Sequence, residues 1–261
     1  MVAKKSLGQN FLKDQNILDQ ILEAAELSSD ETVLEIGPGK GALTQGLIER
    51  AGRVIAVELD RDLIPFLKID FGKNKNFELV HADALTYTPP EGPYKIVANI
   101  PYYITSPLLN HYLADQFLGG NPPKRIVFMV QKEVAEKIVA KNGQHSVLSL
   151  QVHLFGSPRL VCVVPPSAFT PRPKVDSAVI CIDVYDKPVI DGDLKKLFWL
   201  LHMSFAQKRK KLTNNLSLAF KKSTEEIRVI LRKLGINEDI RAEALSLEEW
   251  AKLFKESSAL G

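Results

Sequence analysis

The sequence has few cysteines and no long apolar run, and each absence excludes a class of protein. Its two cysteines, Cys162 and Cys181, lie in apolar stretches, where buried, reduced thiols are expected. They provide neither a disulfide framework nor the spacing of a zinc site. No apolar run approaches the roughly 20 residues needed to span a bilayer, and the first residues lack the apolar stretch of a signal peptide. We therefore expect a cytoplasmic protein.

What the sequence does contain is the composition of a globular protein. Hydrophobic residues make up 45% and charged residues 25% of the 261 residues, which is enough to bury a core. The net charge is only +3, yet eleven basic and two acidic residues lie between Lys195 and Lys233. This asymmetry favours a polyanionic partner, although solvated lysine-rich helices explain the charge alone equally well.

Short apolar strands alternate with helices through the first part of the chain. Strands are predicted at 32–36, 53–59, 77–80, 95–98 and 125–130, and three more follow without helices between them, at 146–155, 160–164 and 178–185. This order predicts an α/β fold: a mostly parallel sheet with helices on both faces and an antiparallel edge. Beyond residue 188 every segment is predicted helical, so we expect one domain at 1–188 and a small all-α domain at 189–261.

A glycine-rich turn follows the first predicted strand. Gly37, Gly39 and Gly41 alternate there, and alternating glycines permit a tight turn and the close approach of a ligand. The G-x-G-x-G spacing differs from the G-x-G-x-x-G of dinucleotide sites, whose helix N-terminus holds a pyrophosphate. The spacing therefore favours a cofactor without phosphate over a nicotinamide cofactor, and counts against an oxidoreductase.

Acidic residues end the next two predicted strands. Glu58 can accept hydrogen bonds from both hydroxyls of a ribose, and Asp83 can accept one from an adenine amino group. The carboxyl ends of parallel strands meet at one sheet edge, so both residues should lie near Gly37. Asp83 is also an ordinary turn residue.

The segment Asn99-Ile100-Pro101-Tyr102 follows the fourth predicted strand. To methylate an exocyclic amine, a site must hold the amine hydrogens on acceptors so that the lone pair can localise towards the methyl group. The Asn99 side-chain carbonyl and the Ile100 backbone carbonyl can supply them. Pro101 stiffens the turn, and Tyr102 can stack on a base that has left its helix. A plain proline turn with a core tyrosine is the alternative.

Taken together, these motifs resemble those of the ribosomal RNA adenine N6-dimethyltransferases, a family that includes the erythromycin-resistance methylases. The resemblance rests on five blocks in the expected order: GQNFL at 8–12, EIGPGKG at 35–41, NIPY at 99–102, QKEVA at 131–135 and FTPRPKVDS at 169–177. It implies a Rossmann-like class I methyltransferase sheet, S-adenosylmethionine as the cofactor, and no metal ion.

The resemblance also implies roles for particular residues. The adenine site would be catalytic and consist of Asn99, Ile100, Pro101, Tyr102 and Phe169, with Phe169 across the site from the tyrosine. The cofactor site would consist of Gln9, Asn10, Leu12, Gly37, Gly39, Glu58, Leu59, Asp83, Ala84 and Asn99.

The segment FAQKRKKLTNNL at 205–216 resembles a block of the small-subunit branch of this family. That branch dimethylates two adjacent adenosines near the 3′ end of small-subunit (16S) ribosomal RNA during assembly. The implied partner is this RNA in an assembling small subunit, bound by a monomer through Lys208, Arg209, Lys210 and Lys211. Lys208 stands where arginine is usual, which keeps the charge but loses bidentate phosphate geometry.

Two further interpretations remain open at this point. The chain could act on large-subunit ribosomal RNA, as the macrolide-resistance methylases do. It could also be an assembly factor that binds pre-ribosomal particles without catalysis, although the intact Asn99, Tyr102 and Phe169 argue against that.

Overall fold

The computed structural model describes Lys4, residues 7–140 and residues 145–257. The chain forms two compact units. The first unit contains the residues up to 136 together with 156–186, and the second contains 137–155 together with 187–261. The second unit thus includes a segment, 137–155, that the sequence analysis placed in the first domain. The functions assigned to the two predicted domains stay predictions.

The first unit is built on a seven-stranded mixed sheet. The strands of the unit are β1 Phe11–Leu12, β2 Thr32–Ile36, β3 Arg53–Glu58, β4 Phe77–His81, β5 Tyr94–Asn99, β6 Arg125–Gln131, β7 Gly156–Val164, β8 Phe169–Thr170 and β9 Ser177–Val184. The sheet order is β4-β3-β2-β5-β6-β9-β7. The strands from β4 to β6 are parallel, and β9 and β7 form an antiparallel edge. The predicted α/β fold with an antiparallel edge is confirmed.

Helices cover this sheet on both faces. They are α1 Gln15–Ala25, α2 Ala42–Arg50, α3 Ile64–Phe71, α4 Thr105–Leu109, α5 Gln116–Gly119 and α6 Lys132–Val139. Five consecutive residues of β6 are buried, and because successive side chains point to opposite faces, neither face of the strand meets solvent. Because the middle of the strand is covered, a ligand can reach the sheet only at the ends of its strands and at the loops that follow them.

The described residues of the second unit form helices joined by loops, with no strand among them. Its helices are α7 Val147–Phe155, α8 Leu194–Ser204, α9 Leu212–Phe220, α10 Thr224–Lys233 and α11 Leu247–Ser257. The strand predicted at 146–155 is wrong, because this segment is α7. Its run of apolar residues is buried nearly all round, and such a run has no periodicity that separates a helix from a strand.

No helix in the described parts of the chain is long and apolar enough to cross a membrane.

Candidate active site

A cleft of about 1070 Å³, counting its open mouth, lies at the carboxyl ends of β2, β3 and β5. A space of this size can take a nucleoside-sized ligand. All the residues predicted for the cofactor line it, namely Gln9, Asn10, Leu12, Gly37, Gly39, Glu58, Leu59, Asp83, Ala84 and Asn99. Ile100, Pro101 and Tyr102 line it as well. The structure thus brings together segments that are up to 90 residues apart in sequence.

The glycine loop after β2 forms one wall of the cleft. Gly37 and Gly39 both have positive φ, +66° and +60°, a conformation that side chains other than glycine's rarely adopt. The Gly37 amide donates to the carbonyl of Val57 at 2.9 Å, which ties the loop to β3. A Cβ at Gly37 would meet no atom within 4 Å. This lack of a side chain leaves open space at the cleft wall, where a ligand can approach the backbone.

Glu58 ends β3 with its carboxylate held in place by backbone donors. Oε2 accepts from the Gly39 amide at 3.0 Å, and Oε1 accepts from the Asp60 amide at 2.8 Å. The side chain is buried, and this burial raises the pKa of Glu58. Each carboxylate oxygen keeps a further lone pair, so the fixed group can still accept from the hydroxyls of a ribose.

The loop after β4 supplies Asp83 and Ala84. The Asp83 carboxylate accepts from the Leu85 amide at 2.9 Å, so it shapes the turn as well as lining the cleft. The Ala84 carbonyl accepts from the hydroxyl of Tyr112 at 2.9 Å. These contacts fix the backbone at the point where the adenine of a nucleoside would meet Asp83.

Asn99 ends β5 and contacts the N-terminal segment. Its Nδ2 donates to the backbone carbonyl of Asn10 at 3.2 Å. Within the described residues Oδ1 has no hydrogen-bond partner, so the side-chain carbonyl is available as an acceptor. The donor side of the amide is therefore used to orient the side chain, and its acceptor side can still accept a hydrogen bond.

Tyr102 begins the 3₁₀ turn Tyr102–Ile104 that follows Pro101. Its hydroxyl lies 2.6 Å from the Oγ of Ser177, which is completely buried at the start of β9. Partial burial raises the pKa of Tyr102. Sequence reasoning assigned no role to Ser177, although it is the last residue of the 169–177 block. Its place in that block was a usable signal.

Phe169 does not line the cleft. It is 1% exposed and packs in the core that α1 and the sheet share. Its strand, β8, pairs antiparallel with β1 and places Leu12 opposite Phe169. The short sheet therefore links the N-terminal segment to the block that contains Phe169. The contact between Phe169 and an adenine stays a prediction.

Two further acidic residues were missed from the sequence, one that lines the cleft and one that contacts a residue lining it. Glu35 lines the cleft, and its carboxylate accepts from the Thr44 hydroxyl at 2.7 Å. Complete burial raises the pKa of Glu35 to about 8. Asp60, also buried, accepts from Gln9 at 2.7 Å and pairs with Lys4 at 2.5 Å. Glu35 was visible as the first residue of the glycine block, whereas Asp60 carried no motif.

The predicted RNA-binding residues lie in the second unit, between α8 and α9. Lys208, Arg209 and Lys210 are exposed, and no ion-pair partner for them occurs among the described residues. Lys211 differs, because it pairs with Asp239 at 2.6 Å. Three of the four predicted RNA-binding residues therefore carry an unpaired charge, and the charge of Lys211 is neutralised by Asp239.

Comparison with known proteins places this architecture in a family. The family described as "Ribosomal RNA adenine dimethylase" matches residues 2–258. The chain is 46% identical to a ribosomal RNA small subunit methyltransferase A of Dehalococcoides mccartyi (strain CBDB1), over 96% of this chain and 87% of the relative. It is 42% identical to the protein of that name from Lactococcus lactis subsp. lactis (strain IL1403), over 96% of this chain and 88% of the relative.

Solved structures agree in fold. A dimethyladenosine transferase from Plasmodium falciparum is similar with a TM-score of 0.80 and 29% identity, covering 96% of this chain and 98% of that one. The 23S rRNA methyltransferase ErmE is similar with a TM-score of 0.77 and 30% identity, covering 94% of this chain and 98% of that one.

Proposed function

Because the chain belongs to the ribosomal RNA adenine dimethylase family, we propose that it dimethylates N6 of two adjacent adenosines near the 3′ end of small-subunit ribosomal RNA. The observation that carries the proposal is the position of Asn99, with an available side-chain carbonyl, in a cleft that also contains Glu58 and the glycine loop. The small-subunit target is favoured by the names of the relatives that are 46% and 42% identical to this chain over the aligned residues.

The cleft fits S-adenosylmethionine, the methyl donor of this family. Glu58 is fixed by two amide donors and suits the ribose hydroxyls. The open space beside Gly37 gives a ligand access to the backbone. Asp83 suits the adenine amino group. S-adenosylmethionine contains no phosphate, so the cleft does not need a phosphate-binding group.

When bound, this cofactor supplies an electrophilic methyl group on a charged sulfur. The protein's task is then to present the amine of the target base. Before the first transfer, the Asn99 Oδ1 and the Ile100 carbonyl accept hydrogen bonds from the two N–H groups of that amine, which directs its lone pair towards the methyl group. Before the second transfer the single remaining N–H donates to one of these acceptors. After each transfer the methylated nitrogen loses one N–H proton to water. Tyr102, held by Ser177, stacks on the base that has been flipped out. The main catalytic effect of these residues is alignment.

RNA affinity comes from the second unit in this proposal. Lys208, Arg209 and Lys210 contact phosphates, and each contact releases counterions. Such contacts give little sequence choice, so target selection depends on the shape of the RNA in the assembling small subunit. The enzyme acts as a monomer.

Transfer of labelled methyl groups to ribosomal particles tests the proposal. Undermethylated small subunits, large subunits and naked RNA are compared, and the products are digested to nucleosides. We expect dimethyladenosine on small subunits and none on large subunits. Label on large-subunit RNA would move the chain to the resistance branch of the family. No label on any substrate, with tight binding to small subunits, would favour an assembly factor without catalysis.

A further inference from the structure

An exposed tryptophan lies on α8 in the second unit. Trp199 is 43% exposed, whereas Trp250 on α11 is 1% exposed. The ring of Trp199 contacts the ring of Phe220 at the end of α9, with centroids 5.3 Å apart and an interplanar angle of 77°. This edge-to-face contact holds the indole in one orientation. Because the indole is large, held in one orientation and open to solvent, its face can stack on a planar ligand.

Lysines flank this aromatic pair on both helices. Lys195 and Lys196 precede Trp199 by four and three residues on α8, so they lie on the same helical face, and both are exposed. Lys221 follows Phe220 directly and ends α9 with φ of +53°. Lys222 comes next and is partly exposed. We call Trp199, Phe220 and these four lysines the aromatic-lysine patch.

The charges of the patch are unpaired, as are those of Lys208, Arg209 and Lys210 in the same unit. None of its four lysines has an ion-pair partner within the described residues. Other basic residues of the same segment do: Arg228 and Arg232 pair with Glu225, and Lys233 pairs with Glu256. The positive charge beside Trp199 is therefore available to an anionic partner outside the chain.

We propose that the aromatic-lysine patch binds a single-stranded stretch of RNA, with an unpaired base stacked on Trp199 and the adjoining phosphates on the lysines. An aromatic platform beside unpaired cations is the combination that single-stranded nucleic acid requires, because each nucleotide has both a flat base and a charge. The inference rests on the proposed function in taking ribosomal RNA as the polymer. It adds a base contact separate from the cleft and from Lys208–Lys210.

Tryptophan fluorescence reads the stacking directly, because the chain has two tryptophans and Trp250 is buried. Titration with a short single-stranded oligoribonucleotide, which contains no tryptophan, should quench the emission of the wild type, and most of the quench should be lost in Trp199→Phe. Trp199→Ala should weaken binding about 5- to 100-fold, from the usual cost of one lost base stack. Trp199→Phe keeps an aromatic ring and should bind to within a few fold of the wild type. Equal affinities for the wild type and Trp199→Ala would overturn the proposal.

Salt dependence separates the stacking from the charge contacts. Trp199→Ala should leave the slope of log affinity against log salt unchanged, because stacking releases no counterions. The double substitution Lys221→Gln and Lys222→Gln should make that negative slope less steep, by about 1 to 2. Val229→Ala, at a residue that is 55% exposed on α10, is the control and should change neither value. An unchanged slope in the lysine variant would overturn the charge assignment.

Cross-linking identifies the partner and separates this inference from the proposed function. A photoreactive benzoylphenylalanine at position 199 should form adducts with ribosomal RNA on irradiation in small subunits. Adducts with ribosomal proteins alone would overturn the RNA assignment. Methyl transfer by the wild type is measured on the same subunits. Absent transfer with RNA adducts present would count against the proposed function alone, and the reverse result would count against the patch alone.

Discussion

The hydroxyl of Tyr102 lies 2.6 Å from the Oγ of Ser177, across 75 residues of sequence. Ser177 is completely buried and stands opposite Gln131 in the central sheet. Tyr102, in contrast, lines the cleft. The hydrogen bond therefore connects the wall of the cleft to the buried central sheet. We infer that Ser177 is a positioning residue, which holds the tyrosine ring where the target base must stack.

Removal of this hydrogen bond should slow methyl transfer without affecting the cofactor. Loss of a hydrogen bond of about 1 kcal/mol should lower kcat about 5-fold in Ser177→Ala. The affinity for S-adenosylmethionine should be unchanged. Tyr102→Phe should lower kcat similarly, and the double variant should be no slower than either single one. Single-turnover kinetics and cofactor titration check both values.

Ser204→Ala is the matched control for Ser177→Ala. Ser204 is also completely buried, and its hydroxyl has no hydrogen-bond partner in the described residues. Its removal should leave kcat unchanged. Additive losses in the Ser177 and Tyr102 double variant would contradict a shared role.

Two glycines provide a test of the cofactor position. Gly37 and Gly92 both have positive φ, +66° and +80°, and a Cβ would meet nothing within 4 Å at either one. Alanine should therefore destabilise both positions by about 1 kcal/mol through backbone strain alone. Only Gly37 lines the cleft. Gly37→Ala should lower the affinity for S-adenosylmethionine at least about 10-fold, as expected when a methyl group occupies ligand space, and Gly92→Ala should not.

Isothermal titration and thermal melts measure the two effects separately. Equal cofactor affinities in the two glycine variants would show that the ligand lies elsewhere in the cleft.

The parts of this fold that follow motifs could be predicted from sequence, and the parts that depend on tertiary context could not. β2, β3 and β5 were found because each is a short apolar run that ends in a recognisable polar or glycine residue. Segment 146–155 was mistaken for a strand because burial all round removes its periodicity. The pairing of β1 with β8 escaped prediction because two-residue strands carry no pattern.

The same limit applies to side chains of the site. Glu58 and Asn99 could be predicted because strand ends define their place at the cleft. Phe169 was expected beside the adenine, yet its burial depends on how α1 and β1 pack over it. Asp60 was missed because its role comes from the distant Lys4 and Gln9. Contacts between remote segments are set by the folded chain and not by local sequence.

Glu35 should give the protein a characteristic pH dependence of stability. Burial raises its pKa from 4.5 to about 8, so the folded protein holds a proton that the unfolded chain releases between these values. The free energy of unfolding should therefore fall as the pH rises from 4.5 to 8. Glu35→Gln cannot ionise and should be more stable than the wild type at pH 8, by on the order of 4 kcal/mol, with little difference at pH 4.5.

Denaturant melts across this pH range provide the measurement for Glu35. The same pH dependence in the wild type and in Glu35→Gln would show that Glu35 is ionised in the folded protein.

The loop between α8 and α9 should determine how binding to small subunits depends on salt. Substitution of Lys208, Arg209 and Lys210 together by Gln should make the negative slope of log affinity against log salt less steep, by about 2 to 3. Lys233→Gln is the control, because Lys233 already pairs with Glu256 at 2.8 Å, and it should change the slope little. Filter binding at several salt concentrations measures this. A slope that the triple variant leaves intact would place the RNA contacts elsewhere.

The most direct test of the whole account is single-turnover methyl transfer by Asn99→Ala on undermethylated small subunits, with cofactor affinity measured alongside. In the proposed mechanism Asn99 presents the acceptor that localises the lone pair of the amine, so transfer should fall about 100-fold or more, in line with the loss of one essential polar group. Binding of S-adenosylmethionine should fall by less than about 10-fold, because Glu58 and the glycine loop persist. Transfer at the wild-type rate would contradict the assignment of this cleft as the site of methylation.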